Sequence, residues 1–191
     1  SIKRLFSLSI IIIIYTMNIY DFPITGEQYP NVVPVFIEVS QNSNVKYEWD
    51  NDKGVLMLDR ILHSSVVYPE NYGFIPQTLC GDGDPLDILA ISSQPLQPGT
   101  MVNVRPICYM DMTDEKGHDE KVVGVVDNDP YYTDIQKMDD LPNHKLAQIK
   151  DFFETYKRLE PNKWVKVGEW YDHSDTMDLV RSTHEEYMNK L

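Results

Sequence analysis

The chain has 191 residues, 42% of them hydrophobic and 25% charged, and a formal net charge of −13. That length and apolar share suit one domain with its own core rather than a string of modules. The acidity argues against binding nucleic acid by neutralising its phosphates, since no basic patch or stripe is present to displace counterions. A carboxylate-rich chain can still hold an anion if divalent cations bridge the two, so the surplus of acids points toward hard metals.

The first feature in chain order is an apolar run, Leu5 to Tyr15, preceded by Lys3 and Arg4 and dominated by Ile10 to Ile14. A charged start and apolar centre resemble a secretory leader, but no small-residue cleavage site follows. The run is also short for a membrane-crossing helix. Met17 stands just past it, ahead of the polar, turn-rich Asp21–Pro34. The expectation is that Met17 is the natural start or that the leader is dispensable, giving a cytoplasmic protein with no membrane partner. Organelle targeting or tethering through residues 1–16 is the alternative. Residues 1–31 are read as an extension, and residues 32–191 as a single domain.

From Val33 the pattern is that of strands. Val33–Val39 is an apolar run carrying Glu38, and Val45–Trp49 alternates apolar and charged residues as a strand with one wet face does. Asp50-Asn-Asp-Lys-Gly54 reads as a hairpin turn, with Gly54 for the positive φ, and Val55–Arg60 as the returning strand. Further strands are predicted at Leu86–Ile91, Met101–Met110 and Lys121–Val126. Short strands punctuated by Pro and Gly predict a mainly β fold, closed or nearly closed into a barrel. Between Pro142 and Glu160 the period becomes helical, with Leu146, Ile149, Phe152, Phe153, Tyr156 and Leu159 on one stripe and Pro161 as the stop. A second helix is predicted from Ser174 as N-cap through Tyr187. Cys80 and Cys108 lie far apart, form no CxxC pair, and are read as free thiols in or near the core.

The densest chemistry is Asp82-Gly-Asp-Pro-Leu-Asp87, three carboxylates in six residues leading into the apolar Ile88–Ile91. Packing three acids so closely is unfavourable unless cations neutralise them, and magnesium prefers such oxygen donors. An isolated DxDxxD is more often an acidic surface turn. A calcium EF-hand loop is excluded because Asp87 stands where its Gly is required and Ser93 where its final Glu is required. Asp114, Glu115 and Asp119 form a second acidic group with Lys121 close behind, and two such groups at neighbouring strand ends could hold several metals between them. The third component is a set of cations and phenols able to meet phosphate oxygens. Lys46 shares a strand face with Glu48, Arg60 ends the next strand, Tyr68 and Tyr72 lie in Val67-Tyr-Pro-Glu-Asn-Tyr-Gly73, and Tyr156 and Lys157 end the first helix.

The run Asp82–Ile88 matches D-[SGDN]-D-[PE]-[LIVMF]-D-[LIVMGAC], the signature of the family I soluble inorganic pyrophosphatases. Tyr68–Phe74, Pro95–Gly99, Met112–Glu115 and Phe152–Lys157 resemble that family's other blocks in the same order, so the similarity spans roughly Val32 to Val167. The resemblance implies an OB-fold-like five-stranded barrel with flanking α-helices, and magnesium-dependent hydrolysis of pyrophosphate to two phosphates. It implies several Mg2+ ions per active site. Asp82, Asp87 and Asp119 would hold them, with Asp87 shared between two ions and Asp114 joining Asp119 at a further one. Glu38 and Glu48 resemble outer acids acting on the metals through water. Asp84 resembles the general base, with Tyr72 near the nucleophile. Lys46, Arg60, Lys121, Tyr156 and Lys157 would bind the substrate phosphates.

A homo-oligomer is expected, although the histidines that many bacterial relatives carry beside the Phe pair are replaced here by Asp151 and Thr155, which puts the usual hexamer in doubt. His118, inside the acidic hairpin, is expected to be a surface residue rather than a ligand. Two rival classes are a non-catalytic barrel that binds oligonucleotide or cation, and a phosphohydrolase acting on nucleotides or esters. The acidity opposes the first, and no base- or sugar-binding element supports the second. There is no P-loop and no GxSxG elbow.

Overall fold

A computed structural model describes residues 18–191; the apolar run and Met17 lie outside the described residues. The strands are β1 (Val33–Val39), β2 (Val45–Asp50), β3 (Val55–Ile61), β4 (Asn71–Ile75), β5 (Leu86–Ile91), β6 (Met101–Asp114), β7 (Gly117–His118), β8 (Lys121–Val126) and β9 (Val165–Tyr171). Helix α1 spans Asn143–Thr155 and α2 spans His173–Asn189. The main sheet runs β1-β4-β5-β8-β6, and β1 also pairs with β6, so five strands form a ring. β7 and β9 add to β6 outside it, and β2 with β3 make a separate hairpin. The architecture is mainly β with flanking helices; within the ring, which is not a strict barrel, β5 and β8 pair in parallel and the other pairs are antiparallel.

Strand alternation splits the core into two layers. On β5, Leu86, Ile88 and Ala90 join one apolar cluster with Val180 of α2, while Leu89 and Ile91 join the other with Phe152 and Phe153 of α1. All are fully or nearly fully buried, and each such side chain contributes about 1.5–3 kcal/mol relative to exposure. β5 therefore reads as a continuous apolar run because both of its faces are covered. Its exception is Asp87, which alternation puts on the same face as Leu89 and Ile91.

Several elements differ from the sequence expectation. β4 is a fully buried strand inside a Tyr-Pro-Gly-rich stretch that carries no alternation. β6 continues four residues past Met110, where it pairs with β7 and β9 instead of β8. β9 went unpredicted; its burial alternates except at Val167–Gly168. Helix α1 stops at Thr155, well before Pro161, and Leu159 is 59% exposed rather than on the buried stripe. The chain leaves the helix there so that Lys157 can reach Asp114 at 2.6 Å. The N-cap of α2 is Asp172, whose carboxylate accepts from the N–H groups of Ser174 and Asp175. Gly54 adopts φ +65° in the β2–β3 turn. Cys80 and Cys108 are free thiols, the latter buried.

Residues ahead of β1 pack on the domain. Ile24 is 2% exposed and belongs to the α2-side core.

Gly73 on β4 shows how tightly the ring closes. A Cβ there would lie 1.8 Å from the Phe36 carbonyl oxygen of β1, which is backbone and cannot move aside cheaply. Gly73→Ala is expected to cost about 3 kcal/mol, lowering Tm by roughly 10 °C in a thermal melt followed by circular dichroism. An unchanged melt would show that β1 and β4 are not packed this closely.

Candidate active site

One cavity of about 400 Å3 opens where β4, β5, β6 and β8 meet the β2–β3 hairpin and the end of α1. All thirteen residues predicted to bind metal, substrate or the reacting water line it. Asp82 and Asp84 arrive from the loop entering β5, and Asp87 from β5 itself. Asp114, Asp119 and Lys121 arrive from the end of β6 and the start of β8. Glu38 comes from β1, Lys46 and Glu48 from β2, Arg60 from β3, Tyr72 from β4, and Tyr156 and Lys157 from just beyond α1.

The centre is Lys121. Parallel register sets it beside Asp87, and its ammonium, on a residue 1% exposed, donates to Asp87 Oδ2 at 2.5 Å and to Asp119. Tyr72 donates to the same Asp87 oxygen at 2.5 Å. Burial alone would lower the Lys121 pKa, but Asp87 and Asp119 together hold it well above the usual lysine value. Burial pushes Tyr72 and Tyr156 far above the ordinary phenol range, so both remain protonated donors.

Other carboxylates are paired in the same way. Lys157 donates to Asp114 at 2.6 Å. Burial opposes ionisation of Asp114, but that bond and the Lys116 N–H hold its carboxyl below the ordinary value. Lys46 binds Glu48 and approaches Asp59 at 3.6 Å, and Arg60 spans Asp59 at 2.9 Å and Glu160 at 3.1 Å. Cross-strand register places Lys46 opposite Arg60, a like-charged pair that these acids offset. Two carboxyls lack a cation of this kind within reach. Burial drives Glu38 up to about 8, only partly opposed by the Trp49 N–H it accepts at 2.7 Å. Burial, with the charges of Asp84, Asp119 and Asp87, raises Asp82 to about 6.

Nine carboxylates and six cationic side chains line the cavity, and Glu115 Oε2 is buried with no hydrogen-bond partner. Crowded carboxylate oxygens fit hard divalent cations. Among the described residues, one trio of metal-ligating atoms lies within 4.8 Å of one another: Asp111, His118 and Glu120. None of these lines the cavity. Alternation through His118–Lys121 sends 119 and 121 inward and 118 and 120 to the other side. The predicted metal carboxylates form no such trio, since the Lys121 ammonium stands between Asp87 and Asp119.

Tyr68 is a correction: it is 1% exposed, packed on Tyr72 and Phe152 at 5.1 and 4.6 Å, and does not line the cavity. Sequence reasoning missed Tyr20, Asp59, Phe74, Lys116 and Lys163, which do. Asp59 adjoins Arg60 and Lys116 sits in the acidic turn, so position hinted at both. Nothing in the sequence pattern marked Tyr20.

A family model described as inorganic pyrophosphatase matches residues 35–188. This chain belongs to the inorganic pyrophosphatase family. It is 46% identical over 173 residues to the inorganic pyrophosphatase of Aquifex pyrophilus, covering 90% of this chain and 97% of that one. The crystal structure of the Thermus thermophilus inorganic pyrophosphatase superposes with a TM-score of 0.87 at 45% identity, over 90% and 99% of the two chains. A type I inorganic pyrophosphatase from Toxoplasma gondii keeps a TM-score of 0.81 at 25% identity, over 90% and 87%. Membership of this family implies a divalent metal.

The elevated Glu38 value gives a signed expectation for the metal-free protein. Its carboxyl stays protonated in the fold to about pH 8, whereas the unfolded chain loses that proton near 4.5. Unfolding therefore releases a proton between those limits, and stability falls as pH rises through that window. Glu38→Gln should flatten this decline in Tm measured from pH 5 to 8 with chelator present. An equal slope in both proteins would show that Glu38 ionises normally.

Proposed function

We propose that this chain hydrolyses inorganic pyrophosphate to two phosphates, with water as nucleophile and magnesium as the divalent ion. The observation that carries the reading is the convergence of two separate acidic segments, Asp82–Asp87 and Asp114–Asp119, with Lys46, Arg60, Lys121 and Lys157 around one cavity. Carboxylates alone would hold cations and lysines alone would hold anions. Interleaved, they suit a compact ligand made of both.

In this reading Asp82, Asp87, Asp114 and Asp119 hold the metals directly, and Glu38 and Glu48 reach them through water. Bound divalent ions supply Lewis acidity, lowering the pKa of coordinated water from about 16 towards 7 and neutralising phosphate charge. Asp84, on the loop between the two aspartates that hold metal, accepts the proton of the attacking water. Tyr72 donates its hydroxyl next to Asp87 and orients the nucleophile. Lys46, Arg60, Lys121, Lys157 and Tyr156 bind the phosphoryl oxygens and stabilise charge on the departing phosphate, so the P–O–P bridge breaks in line with attack. One water is consumed and two phosphates leave, with no covalent link to the protein.

The four cations sit on rigid strands or beside a helix end, so little reorganisation is needed when the phosphates arrive. No helix among the described residues is long and apolar enough to cross a membrane. A homo-oligomeric protein working in the cytoplasm is the setting this reading favours.

Phosphate release should occur from pyrophosphate with magnesium and stop with chelator, and should be far slower from ATP or a phosphomonoester. Asp87→Asn is expected to lower turnover by about 10²-fold or more while leaving the circular dichroism spectrum intact, because one partner of Lys121 and one metal oxygen are lost. Asp84→Asn should cost a similar factor yet retain more of the metal affinity in titration calorimetry. Near-normal turnover in the Asp87 variant, or release insensitive to chelator, would overturn the assignment.

A further inference from the structure

Ahead of β1, and outside residues 35–188, a short strap brings Tyr20 to the wall of the cavity. Asn18 caps a single 3-10 turn, Ile19–Asp21, by accepting the Tyr20 N–H at 3.0 Å. Gln77 pins it: its backbone N–H donates to the Tyr20 carbonyl at 2.7 Å, and its side-chain amide donates to the Asp21 carbonyl at 3.1 Å. Gln77 is itself in the left-handed region, at φ +49°, and its carbonyl meets His184 of α2 at 2.7 Å. Tyr187 of α2 binds the Asp21 carboxylate, and Ile24 anchors the far end in the core. The strap is thus tied to both β4's exit and α2.

The result is a fixed aromatic ring over the site. Tyr20 stands edge-on to Phe74 with ring centres 5.0 Å apart and planes at 86°. Phe74 packs on Phe36 at 5.5 Å, and Phe36 on Trp49 at 5.4 Å. Tyr20, Phe74 and Trp49 all line the cavity and bring no charge to a lining otherwise rich in carboxylates and cations. Burial first, then Glu38, Asp84, Glu48 and Asp87, raise the Tyr20 phenol well beyond its ordinary value, so it stays neutral.

We propose that Tyr20 is a substrate-size-determining residue, its ring filling the cavity edge beside Phe74 so that a diphosphate fits and a longer polyphosphate does not. The inference rests on the proposed pyrophosphate hydrolysis and deepens it. A third phosphate, or a nucleoside, must extend beyond the groups that bind two phosphates. On this side it meets the Tyr20 ring, whose carbon face fills the space and displaces the water that would solvate the phosphate oxygens, with the phenol O–H as a single donor for several of them. Size exclusion by one ring is worth roughly 10-fold or more in selectivity.

The test uses the full chain with magnesium and compares kcat/KM for pyrophosphate and linear tripolyphosphate in wild type, Tyr20→Phe, Tyr20→Leu and Tyr20→Ala. The Leu variant preserves an apolar contact with Phe74 should Ala disturb folding. The tripolyphosphate-to-pyrophosphate ratio should rise about tenfold in the Leu and Ala variants and stay at the wild-type value in Phe. A general structural role would lower both substrates together and leave the ratio alone, and that result overturns the proposal. So does an equal rise in Phe, which would assign the effect to the hydroxyl. Calorimetric affinities for magnesium imidodiphosphate and magnesium tripolyphosphate carry the same comparison without turnover. Absent hydrolysis of pyrophosphate by wild type therefore sinks the parent reading, while an unchanged affinity ratio in Leu and Ala sinks this one.

Discussion

Lys121 is an ammonium taken almost wholly out of water, which on its own costs several kcal/mol. Asp87 and Asp119 offset that cost, and neither would tolerate the other's charge at this depth without Lys121 between them. Each of the three is acceptable only because the other two are present. The parallel pairing of β5 and β8 enforces this arrangement, since it sets Asp87 opposite Lys121 on the face that also carries Leu89, Val123 and Val125. Apolar packing further along the same strands therefore fixes where the charges meet.

The rest of the cavity repeats this device. Lys157 neutralises Asp114, Lys46 neutralises Glu48, and Lys163 binds Glu115. A net charge of −13 is compatible with a folded interior acid cluster because intramolecular cations occupy it. Glu38 and Asp82 are the exceptions, and burial or crowding raises both. The protein thus holds oxygen donors at short range, with lysines positioned on the same oxygens. Metal and phosphate would compete for those contacts, which links the binding of one to the binding of the other.

Support for this arrangement comes from two directions. Phe152, Phe153 and Tyr156 of α1 and its end pack on Tyr68 and Tyr72, so the aromatic layer beneath the site also sets the Tyr72 hydroxyl. From the other side, the β2–β3 hairpin brings Lys46 and Arg60 over the cavity while its outer residues, including Leu58 at 55% exposure, face away. The hairpin belongs to no other sheet; the Trp49 N–H to Glu38 bond and the Phe36–Trp49 contact tie it to β1.

Local chemistry wrote much of this in the sequence. Alternation marked β2, the Gly54 turn marked β3 as its return, apolar runs marked β1, β5 and β8, and the 3.6-residue period marked α1, because the periodic patterns report a face that must be buried. The DxDxxD run and the later acids stood out as crowded carboxylates, but their roles came from the resemblance to the family signature and not from spacing alone. β4 was not legible, since Asn71–Ile75 owes its strand to neighbours on both sides rather than to any period of its own. Only tertiary structure put Asp87 beside Lys121, ended α1 early for Lys157, buried Tyr68, and brought Tyr20 into the cavity wall by pairing it with the distant Gln77. Those outcomes depend on pairings between distant segments, whose free energy comes from the assembled core and leaves no local periodicity to read.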